Sequence, residues 1–181
     1  MKNTIFKIAD AQSRIEWVGK KVTGSHDGTV DIKGGEIILS ADGKLVAGRV
    51  VVDTTSIKVL DITDPATNAQ MTGHLASDDF FSSEKFPEAT LEIFSVKGAH
   101  VNANLTIKGI THPIELDVAL NAGDSYLLAS TRLHIDRTKY NMKFRSGNFF
   151  LNLGDTLIYN DFELNVSLTA KAVKETEAVL Q

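Results

Sequence analysis

Apolar and polar residues alternate one for one along several stretches of the chain, the signature of strands with one buried face. Val101, Ala103, Leu105 and Ile107 share a face opposite Asn102, Asn104, Thr106 and Lys108, and Ile114, Leu116, Val118 and Leu120 repeat the pattern. Leu127, Ala129, Thr131, Leu133 and Ile135 form a third such face, and Leu164, Val166, Leu168 and Ala170 a fourth. The first, second and fourth predict Leu105, Ile107, Leu116, Val118, Leu164, Val166 and Leu168 inside, with Asn104, Asp117, Asn165 and Ser167 outside. Earlier in the chain, Arg14–Val22 reads as a strand carrying Ile15 and Trp17 on one side. Glu36–Leu39 and Leu45–Val52 flank an Asp42-Gly43 turn as a hairpin. Lys108-Gly109-Ile110-Thr111 and Gly123-Asp124 mark further reversals. Strands with polar outer faces and reversals every ~8–12 residues predict an antiparallel sandwich or a closed barrel, and about eight strands suffice to enclose one elongated ligand.

One segment has helical character. Asp64 is a suitable N-cap and Pro65 a suitable first helical residue, after which Met71, His74 and Leu75 fall on one face. The thin apolar stripe suits a helix laid across one end of a β structure. The segment that follows, GHLASDDFFSSEKFPEAT (73–90), fits neither period, yet holds Phe80, Phe81 and Phe86 among charged and hydroxyl residues. Each Phe ring gains roughly 1.5–3 kcal/mol on burial, so this loop folds its rings onto something apolar. It either pins itself to a solid core or lines a cavity. A second mixed stretch, HIDRTKYNMKFRSGNFF (134–150), interleaves Arg137, Lys139, Lys143 and Arg145 with Tyr140, Phe144, Phe149 and Phe150. It fits either a surface strand and loop whose rings fill core, or a site for a polar head group followed by an apolar tail.

Composition narrows the function. The 181 residues carry a net charge of −4 without basic blocks, which argues against nucleic acid as a partner. Cysteine is absent, so disulfides, thiolate nucleophiles and Cys-ligated metals are excluded. The five histidines (26, 74, 100, 112, 134) show no metal-ligand spacing, and no phosphate-loop, dinucleotide or nucleophile-elbow motif is present. No cofactor is expected. No run reaches the ~18 apolar residues of a membrane-spanning helix. The N-terminus lacks the ~7–15-residue apolar core of a secretory signal, which leaves a cytoplasmic protein or one whose signal has been removed.

Three motifs in order, WVGKKVTGSHDG (17–28), GHLASDDFFSSEKFPEAT (73–90) and LTIKGITHPIEL (105–116), resemble the YceI-like family of lipocalin-type, polyisoprenoid-binding bacterial proteins. The resemblance extends over about Phe6 to Lys171 and leaves 172–181 as a tail to a single domain. It implies an all-β fold: an extended antiparallel eight-stranded lipocalin-like barrel with one short helix over an end. It also implies a hydrophobic tunnel for a long isoprenoid or fatty-acyl chain, and a homodimer. Carried over onto this chain, the resemblance puts Trp17 on a barrel strand, His26 in the Gly-rich turn, and Phe80, Phe81 and Phe86 beside the cavity. His26, Arg137 and Tyr140 are the expected head-group contacts, and Phe149 and Phe150 further ligand contacts. The expected function is non-enzymatic binding of a polyisoprenoid, quinone or fatty-acyl lipid. A lipid-modifying enzyme and an interaction protein with a filled barrel are the alternatives.

Overall fold

In the computed structural model, residues 3–147 and 157–173 are described. They form ten strands and one α-helix: β1 (Thr4–Ile8), β2 (Arg14–Lys21), β3 (Gly24–Leu39), β4 (Leu45–Val59), α1 (Pro65–Ala76), β5 (Glu88–Lys97), β6 (His100–Ile107), β7 (Ile110–Asp117), β8 (Ala119–Ala122), β9 (Tyr126–Asp136) and β10 (Ile158–Ala172). Every pairing is antiparallel. The tail beyond residue 173, Phe149 and Phe150 lie outside the described residues.

Ten strands occupy eight lanes. β1 and β2 both pair with β3 on one side and β10 on the other, so they are successive pieces of one lane. A single 3₁₀ turn, Asp10–Gln12, offsets them. β7 and β8 likewise share a lane, β7 pairing with β6 and β8 with β9. At the joint between them, Val118 N–H donates to Ala99 O (2.9 Å) and Thr131 Oγ1 donates to Asp117 O (2.7 Å). This lane closes the sheet into the eight-lane barrel that the alternation and the resemblance predict.

The faces follow the pleat. Leu105, Ile107, Leu116 and Leu168 are buried, and Val118, Leu164 and Val166 pack against the core from half-buried positions. Asn104, Asp117 and Ser167 are exposed, and Asn165 is half-buried. One turn is tighter than the sequence suggests: Lys108 (φ 55°) and Gly109 (φ 73°) alone make the β6–β7 reversal. Two consecutive left-handed residues match the twist of the flanking strands, so Ile110 and Thr111 join β7.

α1 starts where its caps dictate. Asp64 accepts hydrogen bonds from Thr67 N–H (2.9 Å) and Thr67 Oγ1 (2.6 Å), with Pro65 at the first position. Asn68 Nδ2 then donates to Val59 O (2.8 Å) and Ile62 O (3.0 Å), which holds the helix against the end of β4.

The barrel interior divides along its length. Phe6, Ile8, Ile15, Ile32, Ile37, Leu39, Leu127, Ala129, Leu168 and Ala170 fill one half solidly. The other half, under α1 and its neighbouring loops, has a second cluster around Ile57, Val59, Leu75, Phe80, Leu105, Ile107 and Met142. This second half is hollow.

Candidate functional site

The hollow half encloses a cavity of about 490 Å³. Its wall is built by strand parity: Trp17, Val30, Val52, Ile57, Ala89, Leu105, Ile107, Phe162 and Leu164 all point inward from six lanes. Met71, His74 and Leu75 of α1, the face read from the sequence, close one side. Met142 and Phe144, from the loop after β9, close another. Thr23, Lys20, Lys21, Arg145, Tyr159 and Asp161 also border the cavity, and most of these are exposed, so they form its mouth. The β2–β10 ladder shifts register between Ile158 and Phe162, beside Tyr159 and Asp161. Bulges of this kind commonly interrupt pairing next to functional openings.

Close approach of chains makes glycine obligatory in the first motif. A Cβ on Gly28 would lie 1.7 Å from Lys58 O and 2.6 Å from Trp17 Cζ2. The bare backbone at residue 28 therefore lets β3 and β4 meet beneath the Trp17 ring.

The Phe loop is anchored by its own hydroxyls. Ser83 Oγ donates to Thr54 O (2.9 Å), Thr54 Oγ1 to Phe86 O (2.7 Å) and Ser82 Oγ to Asp78 Oδ1 (2.6 Å). Lys108, buried at the β6–β7 turn, donates through Nζ to Asp78 O (2.8 Å) and Asn141 O (3.0 Å), tying the Phe loop to the loop after β9. Burial lowers the pKa of this ammonium, and Asp78 and Asp79 partly offset the effect.

The three rings divide between the two roles read from the sequence. Phe80 is 8% exposed and stands edge-on to His74 (5.0 Å) and Phe144 (6.0 Å), with the Arg137 guanidinium 5.7 Å from its centroid. Phe81 is half-buried and meets one ring, Phe162, at 6.1 Å. Both border the cavity. Phe86 does not; it packs over Gly109, where a Cβ would come within 3.1 Å of its Cε1. Phe86 therefore pins the loop to the β6–β7 turn.

The expected head-group residues are placed differently from one another. His26 borders the cavity, and its Nδ1 lies 2.8 Å from Asp61 Oδ2. Burial alone would raise the pKa of Asp61, but the Asp27 N–H (3.0 Å) and His26 outweigh it and hold this carboxyl below the ordinary range. Tyr140 is 1% exposed beneath His112 (5.2 Å, edge-on), takes no part in the cavity wall, and has a buried hydroxyl with no partner among the described residues. Arg137 borders the cavity, yet its donors point elsewhere. Nε donates to Tyr159 O (3.0 Å), Nη1 to Met142 O (2.6 Å), and Nη2 to Phe144 O (2.9 Å) and Ile158 O (3.1 Å). Burial lowers its pKa from the usual arginine value, with Asp136 opposing the shift. The fork thus holds the start of β10 to the loop that carries Met142 and Phe144.

No group of three or more His, Asp or Glu among the described residues is arranged to hold a metal ion. The cavity instead offers an apolar wall, a polar mouth and a half-barrel of depth.

The YceI-like domain model matches residues 6–170, nearly the whole chain. The chain belongs to the YceI-like family. A UPF0312 protein of Staphylococcus aureus (strain bovine RF122 / ET3-1) is 32% identical over 101 residues, which are 52% of this chain and 57% of that relative. One of Yersinia pestis (strain Pestoides F) is 29% identical over 130 residues, 70% of this chain and 62% of that relative. The chain thus spans about 57–62% of the length of these curated relatives. Among solved structures, BcnA of Burkholderia cenocepacia superposes with a TM-score of 0.70 at 19% identity, covering 90% of this chain and 99% of that one. A polyisoprenoid binding domain from Saccharophagus degradans gives 0.65 at 17% identity, covering 93% and 98%. At these identities the likeness of these YceI-like neighbours is one of fold.

Proposed function

We propose that this protein binds an amphiphilic lipid of polyisoprenoid, quinone or fatty-acyl type in the hollow half of its barrel, without chemically altering it. The observation that carries the reading is the cavity itself. Protein interiors pack like organic crystals, and apolar side chains that face unfilled space forfeit the contacts a packed core gives them. At about 490 Å³ with a largely apolar wall, this space far exceeds the few water-sized voids of an ordinary core. A barrel whose other half packs solidly has no structural need for such a space. An apolar tail fills it, each buried methylene contributing about 0.8 kcal/mol.

Family membership supports the same reading, as does the Saccharophagus neighbour described as a polyisoprenoid binding domain. Non-catalytic binding is supported by how the charged groups near the wall are engaged. Arg137 is bonded to backbone carbonyls and His26 is paired with Asp61. His74, which borders the cavity, lies 3.1 Å from Asp79, which does not, so this imidazole too is engaged by a group outside the wall. Native mass spectrometry of the purified protein, before and after organic extraction, tests the proposal. An extractable adduct with the mass of a lipid supports it, and a protein of bare chain mass that takes up no added lipid refutes it.

A further inference from the structure

The cavity has a floor. Ile15, Val30, Val52 and Leu164 border it and also pack against the solid half of the barrel. Beyond them Phe6, Ile8, Ile32, Ile37 and Leu39 are buried, and none borders the cavity. The space is therefore a blind pocket, where the resemblance implies a tunnel for a long chain. At about 30 Å³ for a group the size of a water molecule or a methylene, 490 Å³ holds on the order of sixteen carbons. A much longer chain would have to leave its far end in water or displace the packed half.

The mouth has a sign. Lys20, Lys21 and Arg145 border it, Arg137 lies behind it, and Asp161 is the one carboxylate in the wall among the described residues. Lys20 also faces an outer groove lined by Asp136, Asp161 and Glu163. Yet none of Lys20, Lys21 and Arg145 is within 4.0 Å of a carboxylate among the described residues; Arg145 lies 4.9 Å from the Phe144 ring centroid. Three cations around an apolar opening attract an anion whose tail enters the opening.

Resting on the lipid-binding reading above, we infer that the ligand is a single-chain anionic amphiphile. Its tail ends on the Ile15–Val30–Val52–Leu164 floor about sixteen carbons in, and its carboxylate or phosphate head lies against Lys20, Lys21 and Arg145. The floor acts as a ruler, and the mouth selects charge.

Titration of the delipidated full chain with straight-chain fatty acids of ~10 to ~22 carbons, and with the matching alcohols and alkyl phosphates, tests this. Affinity for the acids rises by up to about fourfold per added methylene, then levels off near sixteen carbons. At low salt the acid and the phosphate bind more tightly than the alcohol of equal length, and salt narrows the gap. Stronger binding of the phosphate or of the acid says which head the mouth prefers. Ile15→Ala, or Val52→Ala should that variant fold poorly, moves the plateau to longer chains. Joint replacement of Lys20, Lys21 and Arg145 by Gln erases the difference between acid and alcohol. A rise that continues past about twenty carbons, or a plateau near ten, overturns the ruler, because the space counted above would then not set the limit. Equal binding of acid and alcohol at low salt overturns the charge selection. Failure of every chain to bind overturns this inference whole, whereas the lipid-binding reading falls only if the purified protein also carries no extractable lipid by native mass spectrometry, an outcome distinct from the others.

Discussion

Phe80 and Phe81 are adjacent in sequence, yet truncating them has different consequences. Phe80 is 8% exposed and touches two rings and a guanidinium. Its replacement by Ala removes a buried ring from packed neighbours, and such changes cost about 3–5 kcal/mol. Phe81 is half-buried, with one ring neighbour among the described residues and one side on the cavity. Losing about half the burial energy of a ring, plus one edge-on contact, amounts to about 1–3 kcal/mol. The expected gap is about 2 kcal/mol, or on the order of 1 M in urea midpoint for a protein of this size. Urea unfolding must use delipidated protein, since bound ligand stabilises the folded state by mass action. Phe81→Ala should also weaken lipid binding, measured by titration on the same samples. Equal losses of stability for the two variants, or a larger loss for Phe81→Ala with binding intact, would refute the distinction between a closely packed wall ring and one that mainly faces open space.

Two further outcomes follow from the geometry around the cavity. Arg137→Ala leaves four carbonyls without their donor and should cost at least ~3 kcal/mol in thermal or urea unfolding. It should weaken charged and neutral lipids alike, and Arg137→Lys should rescue little, because an ammonium cannot reproduce the fork; a loss confined to anionic lipids contradicts this role. Asp61 titrates below the ordinary carboxylate range, so its stabilising contribution is fully present above about pH 4 and disappears as pH falls through its folded-state value. Asp61→Asn should therefore destabilise by on the order of 1 kcal/mol at pH 7, a gap that closes in acid and that pH-dependent denaturation resolves; an unchanged gap at pH 3 contradicts it.

The inward faces of β6, β7, β9 and β10 were legible in the sequence because each keeps an unbroken two-residue period. β3 and β4 were legible only in part. Their ladder shifts register between Thr29 and Asp31 and between Ile32 and Gly34, and each shift resets which parity faces inward. β1 is five residues long, too short for its period to stand out, and it shares its lane with β2. The hydrophobic loop announced itself by its rings, but which ring pins and which lines depends on Gly109, Phe144 and Phe162, all distant in sequence. Arg137 carried a signal with two readings. Basic and aromatic residues interleaved near a strand end suit a head-group site, and they equally suit a cation that gathers loop carbonyls. Lys108 gave no sign of its bridging position, since a turn lysine ordinarily points into water. The floor of the cavity was invisible for a related reason: inward parity marks residues as interior without saying whether the interior is filled.

The central claim is that lipid sits in this cavity, and filling the cavity tests it most directly. Ala89 borders the space opposite Val52 on the neighbouring strand, so Ala89→Phe places a ring where the tail would lie. The measurement is lipid bound per protein chain, by titration of delipidated wild type and Ala89→Phe, with circular dichroism confirming that both retain the barrel. The account predicts that the folded variant loses most of its lipid binding while its unfolding midpoint holds or rises. A folded Ala89→Phe protein that binds lipid as well as the wild type would contradict it.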